Sequence, residues 1–285
     1  MRYEAPATTK EAVALLAKEK GNAYVLAGGT DLLVRLKTGL EPDLVVDIKR
    51  IPEMTEIKTD SKSFRIGAGV SGAKLGAHKA FGKAWPGVVE ATNLIGSDQI
   101  QGRATMVGNL CNASPAADSV PAMVAAGAKA VIVGKGSRRT VAVEDVVTGP
   151  GKTSLKKGEV IEAIKLPKPS ARTGDAYLRF TPRTEMDIAV VGVGISMTIE
   201  RGVVKKARVC LGAVAPTVVL VPAAARALVG SKLDDAALEK CAAACIKACN
   251  PIDDKRGTAA YRTRVAGVLA KRAAKIAYTR AGGKA

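Results

Sequence analysis

The chain has 285 residues, 47% of them apolar, which is enough for one large or two to three small cores and excludes a disordered tail. Its 44 lysines and arginines against 26 acidic residues leave a formal charge of +18, suited to an anionic ligand or partner. An aromatic content of 3% offers little for stacking on single-stranded nucleic acid, and no helix-turn-helix or zinc-finger spacing stands out, so no nucleic-acid partner is expected.

A short strand at Arg2-Tyr3 leads to a helix that starts near Pro6 and Thr8/Thr9, carries Val13, Leu15 and Leu16 at helical spacing and stops at Gly21. The strand Tyr24-Val25-Leu26 then runs into Ala27-Gly28-Gly29-Thr30-Asp31. Paired glycines take positive φ freely and carry no Cβ, so their amides can converge on a phosphate, with Thr30 adding a hydroxyl donor; the same residues also make an ordinary chain reversal. A helix over Leu32–Lys37 ending at Gly39 and a buried-type strand over Leu44–Ile48 complete a βαβ-like unit, expected as a first domain of residues 1–55.

Phe64–Gly69 opens a second unit, residues 56–170. Ser71 caps a helix running through Leu75 and Phe81, and Pro86 starts another through Val88, Val89 and Leu94. The stretch from Gly96 to Asp118 is dense in small and polar residues and reads as a long, ordered, functional loop. Asp118 and Ser119 precede a helix through Met123 and Val124; Ala130–Val133 and Thr140–Val143 form a strand pair about Gly134-Lys135-Gly136; Glu159–Ile164 is a strand ended by Pro167 and Pro169. Beyond the boundary at Pro167 to Gly174, Ala176–Phe180, Ile188–Ile199 and Val203–Val214 predict a three-stranded antiparallel sheet followed by helices, a third domain of residues 171–285.

No apolar run is long enough to span a bilayer, Met1-Arg2-Tyr3-Glu4 lacks a signal-peptide core, and five cysteines without a CxxC pair fit a reducing compartment, so a cytoplasmic location without a membrane span is expected. Cys241, Cys245 and Cys249 share a helical face with Leu238 and Ile246, but a straight helix cannot wrap three thiolates round one ion, and they read as core residues rather than metal ligands. His78 is the single histidine, with no nucleophile paired to it by pattern. Two small-residue turns able to hold phosphates, without acid-base machinery, point to a redox dinucleotide clamped between them, with Asp118 accepting from a hydroxyl of its sugar or ribityl chain.

Ala27-Gly28-Gly29-Thr30-Asp31-Leu32, Arg103-Ala104-Thr105-Met106-Val107-Gly108-Asn109 and Asn112 to Asp118 resemble the FAD-binding medium subunits of the molybdenum hydroxylases, of the xanthine dehydrogenase, carbon monoxide dehydrogenase and 4-hydroxybenzoyl-CoA reductase types. The likeness continues in order through Gly158–Ile161, Met186-Asp187-Ile188-Ala189, Leu211–Pro216, Pro251–Arg256 and Tyr261-Arg262, covering nearly the whole chain. It implies an α+β architecture: a two-part FAD-binding fold of the vanillyl-alcohol-oxidase type, followed by a three-stranded antiparallel sheet with helices. By the same resemblance Val25, Leu26, Ala27, Gly28, Gly29, Thr30 and Asp31, together with Thr105, Val107, Gly108 and Asn109, hold the FAD pyrophosphate. Asn112 and Asp118 match positions near the adenosine or ribityl end, and Leu155 matches a residue lining the flavin. Arg179 stands where the family usually has a flavin-contacting lysine, and Val107 stands where it has the first of two glycines.

The resemblance further implies a molybdenum-pterin cofactor in a large partner subunit, [2Fe-2S] clusters in a small one, none in this chain, and FAD exchanging electrons with an external carrier. The basic residues after Pro251 read as an interface or a landing site for an acidic carrier. Two rival readings are a stand-alone reductase of the UDP-N-acetylenolpyruvoylglucosamine reductase class, for which no substrate-protonating group is found, and a basic nucleic-acid-binding module. Neither accounts for the ordered series of motifs.

Overall fold

Three larger sheets and a two-stranded ribbon follow one another along the chain in the computed structural model, which describes residues 1–184 and 186–284. Strands Arg2–Glu4, Ala23–Leu26 and Leu44–Asp47 pair in parallel, with Leu44–Asp47 central. A central parallel strand is covered on both faces, which is why it can be an unbroken run of buried residues. Its last residue is the exception in chemistry: the Asp47 carboxylate accepts from Tyr3 Oη at 2.6 Å and from Lys49 Nζ at 2.8 Å. Helix Thr9–Lys18, capped by the Thr8 hydroxyl accepting the Glu11 amide, lays Ala12, Val13 and Leu16 into the core beside this sheet.

The second sheet is antiparallel, in the order Ile57–Thr59, Ser63–Gly67, Val160–Pro167, Lys129–Gly134, Ser137–Ala142. A bulge in the central strand falls between Ile161 and Ala163, at Glu162. That carboxylate is only 3% exposed, and its charge is met by Arg65 at 2.7 Å and Arg138 at 2.8 and 2.9 Å.

The structure corrects several sequence expectations. The helix expected from Ser71 through Phe81 is two, Gly72–Gly76 and Lys79–Ala84, because His78 breaks it: its Nδ1 accepts the Phe81 amide at 3.1 Å and caps the second piece. The expected loop from Gly96 to Asp118 contains two short helices, Asp98–Gln101 and Met106–Cys111, the latter capped by Thr105. The strand expected from Ile188 begins at Val191, and the one expected to reach Val214 ends at Gly212, where Ala213 turns the chain with φ of 62°. The three C-terminal strands, Thr173–Phe180, Val191–Glu200 and Val203–Gly212, are joined by a fourth of two residues, Val219–Leu220.

Alternation along Val191–Glu200 assigns the two faces of this third sheet. Val193, Ile195 and Met197 face the helices Asp235–Ala248 and Ala259–Arg280, and buried Cys241 and Cys245 belong to the same cluster. Among the described residues no group of His, Cys, Asp and Glu could hold a metal ion. Gly194 and Ser196 face helix Ser119–Ala125 of the second unit: a Cβ on Gly194 would overlap the Pro121 carbonyl, and Ser196 Oγ donates to the Ala125 carbonyl at 2.5 Å. No helix among the described residues is long and apolar enough to cross a membrane.

Asp175, on the first strand of this sheet, is buried against helix Pro86–Asn93. Its Oδ2 accepts the Val88 amide at 3.2 Å, whereas Oδ1 has no partner. Burial pushes this carboxyl up to about 7, against the helix amides and Arg280. The folded chain therefore keeps a proton that the unfolded chain releases from about pH 4 upward, and stability falls as pH rises from there to about 7. The slope is at most ~1.4 kcal/mol per pH unit. Asp175→Asn should remove it: urea unfolding across this range should show the variant gaining on the native chain as pH rises. A pH-independent difference would mean that the carboxyl titrates normally.

Candidate functional site

A cleft of about 700 Å³ opens between the first and second sheets, within the size range of small-ligand sites. One wall is the end of strand Ala23–Leu26 and the turn after it; the other is the start of helix Met106–Cys111, with the segment from Thr153 to Ile161 closing the side. The two glycines of the first turn do different jobs. Gly28 lies so close to the Arg103 carbonyl of the second unit that a Cβ would overlap it, and Gly29 has φ of 80°, with a Cβ there 3.0 Å from Leu26 Cδ1.

Among the described residues, the amides of Gly28, Gly29 and Thr30 donate to no protein acceptor. Across the cleft the Thr105 hydroxyl accepts the Gly108 amide at 2.8 Å, while the amide of Val107, in the first turn of its helix, has no protein acceptor among the described residues. Asn112 Nδ2 donates to Asp31 Oδ1 at 3.2 Å and so ties the two turns together. Asn109 Oδ1 accepts from the Ser119 amide at 3.1 Å and its hydroxyl at 2.7 Å, which anchors the second turn to helix Ser119–Ala125. Open donors at Gly28, Gly29 and Thr30 on one turn and at Val107 on the other thus belong to residues lining one concavity, with apolar Ile48, Ala68 and Ile95, an arrangement that fits a pyrophosphate attached to larger, flatter groups.

Of the residues singled out from sequence, Val25, Ala27, Gly28, Gly29, Thr30, Asp31, Thr105, Val107, Gly108, Asn109, Asn112 and Leu155 line this cleft. Val107, the valine in place of glycine, sits on the first helical turn, only 7% exposed, with its neighbour Gly108 still bonded to Thr105. Leu26, Asp118 and Arg179 are not in the cleft wall. Leu26 is buried beneath Gly29. Asp118, 8% exposed, accepts from Arg179 Nη1 at 2.8 Å and Tyr177 Oη at 3.0 Å, joining the cleft-bearing unit to the third sheet. Burial pushes the Asp118 carboxyl up to about 6, with Arg179 and Tyr177 pulling it back, so at neutral pH it is ionised and paired.

Sequence reasoning missed the cations of the wall, Lys20, Arg35, Lys156 and Lys157. The pair Lys156-Lys157 is adjacent in sequence to Leu155, but a lysine pair in one sequence looks like any solvated surface. No acid-base or nucleophilic machinery was missed. His78 is outside the wall, and the Cys111 thiol within it is pushed up to about 12 by burial and stays neutral.

A family model described as the FAD binding domain in molybdopterin dehydrogenase matches residues 1–169, and one described as the CO dehydrogenase flavoprotein C-terminal domain matches residues 176–277. The carbon monoxide dehydrogenase medium chain of Hydrogenophaga pseudoflava is 33% identical over 279 residues, 98% of this chain and 97% of that one. The xanthine dehydrogenase FAD-binding subunit of Escherichia coli O157:H7 is 29% identical over 285 residues, 99% of this chain and 97% of the relative. A solved carbon monoxide dehydrogenase from Hydrogenophaga pseudoflava, lacking the Mo-pyranopterin moiety of its cofactor, superposes with a TM-score of 0.94 at 34% identity, covering 98% of each chain.

Gly28→Ala must displace the Arg103 carbonyl and spread the two turns. FAD affinity, followed by flavin fluorescence on titration, should fall about tenfold or more, a loss of ~1.4 kcal/mol. Gly149→Ala, at a glycine whose Cβ would meet open space, should leave it unchanged. Equal affinity in both variants would show that the close approach does not set the cleft.

Proposed function

The chain belongs to the FAD-binding subunit family of the molybdopterin dehydrogenases, and on that premise we propose that it is the electron-transfer flavoprotein of a heteromeric molybdenum hydroxylase. The observation that carries the reading is the pair of turns, Gly28-Gly29-Thr30 and Thr105 to Asn109, which line one cleft, leave the amides of Gly28, Gly29, Thr30 and Val107 without protein acceptors among the described residues, and are joined by Asp31 and Asn112. When bound, FAD supplies the exchange of one or two electrons, which the side chains of this protein cannot perform.

The protein's own contribution is to bind and orient. Gly28, Gly29, Thr30, Thr105, Val107, Gly108 and Asn109 would take the pyrophosphate, with Val25, Ala27, Asp31, Asn112 and Leu155 along the rest of the dinucleotide. Leu26 supports Gly29 from below. Asp118 and Arg179 would act through position: as a buried pair they hold the third sheet against the helix that Asn109 grips. In this reading residues 1–55 and 56–170 form the two halves of the cofactor fold and residues 171–285 a third unit, a division supported by one of the three larger sheets in each.

The partners are a large molybdenum-pterin subunit and a small subunit with [2Fe-2S] clusters. The cleft residues of this chain would hold FAD for electron exchange between those clusters and an external carrier in the cytoplasm, a setting supported by five free cysteines. Family models matched over residues 1–169 and 176–277, in the order expected of these subunits, favour this over a stand-alone reductase.

The test is purification with whatever partners accompany the chain, a visible absorption spectrum, and identification of the released cofactor. Flavin and iron-sulfur bands with two further polypeptides are expected. A folded, colourless chain that refuses added FAD would overturn the assignment; FAD without partners would return it to the stand-alone reductase.

A further inference from the structure

The cations of the cleft are not distributed like ordinary surface charge. Lys20, Arg35, Lys156 and Lys157 come from three separate segments, yet all border one concavity, and among the described residues none of them forms an ion pair. Gly158 explains the convergence: its α-carbon packs on Ala17, where an added Cβ would lie 2.9 Å from the alanine methyl. This brings the segment that carries Lys156 and Lys157 against the last turn of helix Thr9–Lys18, which ends just before Lys20. Two acids also line the cleft. Glu159 is neutralised by Arg139, through bonds of 2.7 and 3.0 Å, while Asp31 is engaged by Asn112. The rim is thus a net excess of exposed positive charge above a floor of uncharged amides.

We propose that this rim is an electrostatic funnel for loading the cofactor: it draws the doubly charged pyrophosphate of FAD to the cleft and sets the rate of uptake, while the glycine turns set the rate of release. The inference rests on the FAD reading above. Like charge gathered round a concavity with low-dielectric walls focuses the field and raises on-rates by roughly 10- to 1,000-fold, an effect that salt screens over about 10 Å at 0.1 M. Contacts formed only after docking act on dissociation instead.

The experiment uses the full chain stripped of flavin, mixed with FAD in a stopped-flow instrument, with flavin fluorescence as the readout. K20Q/K156Q/K157Q should associate at least tenfold more slowly than the native chain at low ionic strength, with the gap closing as salt is added and the off-rate within about twofold of native. K205Q/K206Q/K240Q removes the same charge from lysines outside the cleft wall and should associate close to the native rate. Three results would overturn the funnel while leaving the FAD reading intact: an unchanged on-rate in the rim variant, a loss carried by the off-rate, or an equal slowing in the distal variant. Failure of the native chain to bind FAD at any salt would overturn both.

Discussion

The cleft exists because the backbone at Gly28 lies directly against the main-chain carbonyl of Arg103. The two belong to units built on separate sheets, one parallel and one antiparallel, with no strand shared between them. Any side chain at position 28 would hold the units apart, and the two turns would no longer face one another. Interiors are packed too tightly for such a displacement to be absorbed locally. Gly29 serves a second need, the positive φ that turns the chain so that successive amides point the same way. The hydrogen bond from Asn112 to Asp31 then closes the seam from the opposite side.

The third sheet is held to this assembly by a different device. Gly194 leaves room for the Pro121 carbonyl, and Ser196 and Arg208 bond the last carbonyls of helix Ser119–Ala125, at Ala125 and Val124. The Asp118, Arg179 and Tyr177 cluster lies at the start of the same helix. A buried ion pair gains little net stability, because desolvation of both charges offsets their attraction. What it does provide is geometry: an unpaired Asp118 or Arg179 in that position would be costly, so the sheet has one favourable seating. That seating fixes Ser119, hence Asn109 and the second turn. The third sheet reaches the cleft through position.

Most elements were legible in the sequence because their signals are local. The Thr8 cap, the apolar spacing of Val13 and Leu16, the run Leu44–Asp47 and the turn at Lys135-Gly136 each declare an element without reference to anything distant. The stretch from Gly96 to Asp118 was misread as a loop for the same reason in reverse: helices of four and six residues are too short to show a period. His78 broke a predicted helix because an imidazole that caps the next turn looks, in sequence, like any polar residue on a helical face. The glycine turns were identifiable as candidates, and their clamping of one dinucleotide could be argued from residue types alone, with the family resemblance adding which residues of each turn take part. The placement of Asp118 and Arg179 behind the cleft, and of four cations around it, depends on side-chain direction across units, which no spacing encodes.

The site separates two kinds of electrostatics according to what burial costs. On the floor, where a ligand would be desolvated, the open donors are uncharged amides, which present partial positive charge without the penalty of a buried ion. At the rim the charges are full cations on exposed side chains, where solvation is retained and the field extends into solvent. Exchanging the two would fail on both counts. A lysine on the floor would have to be desolvated or would lose its proton, and amides at the rim, already hydrogen-bonded to water, would project little field. A chain that leaves the redox chemistry to a bound dinucleotide has no need of unpaired charges on the floor of its site. Buried Asp118, near the cleft, is accordingly paired with Arg179 and kept behind the wall.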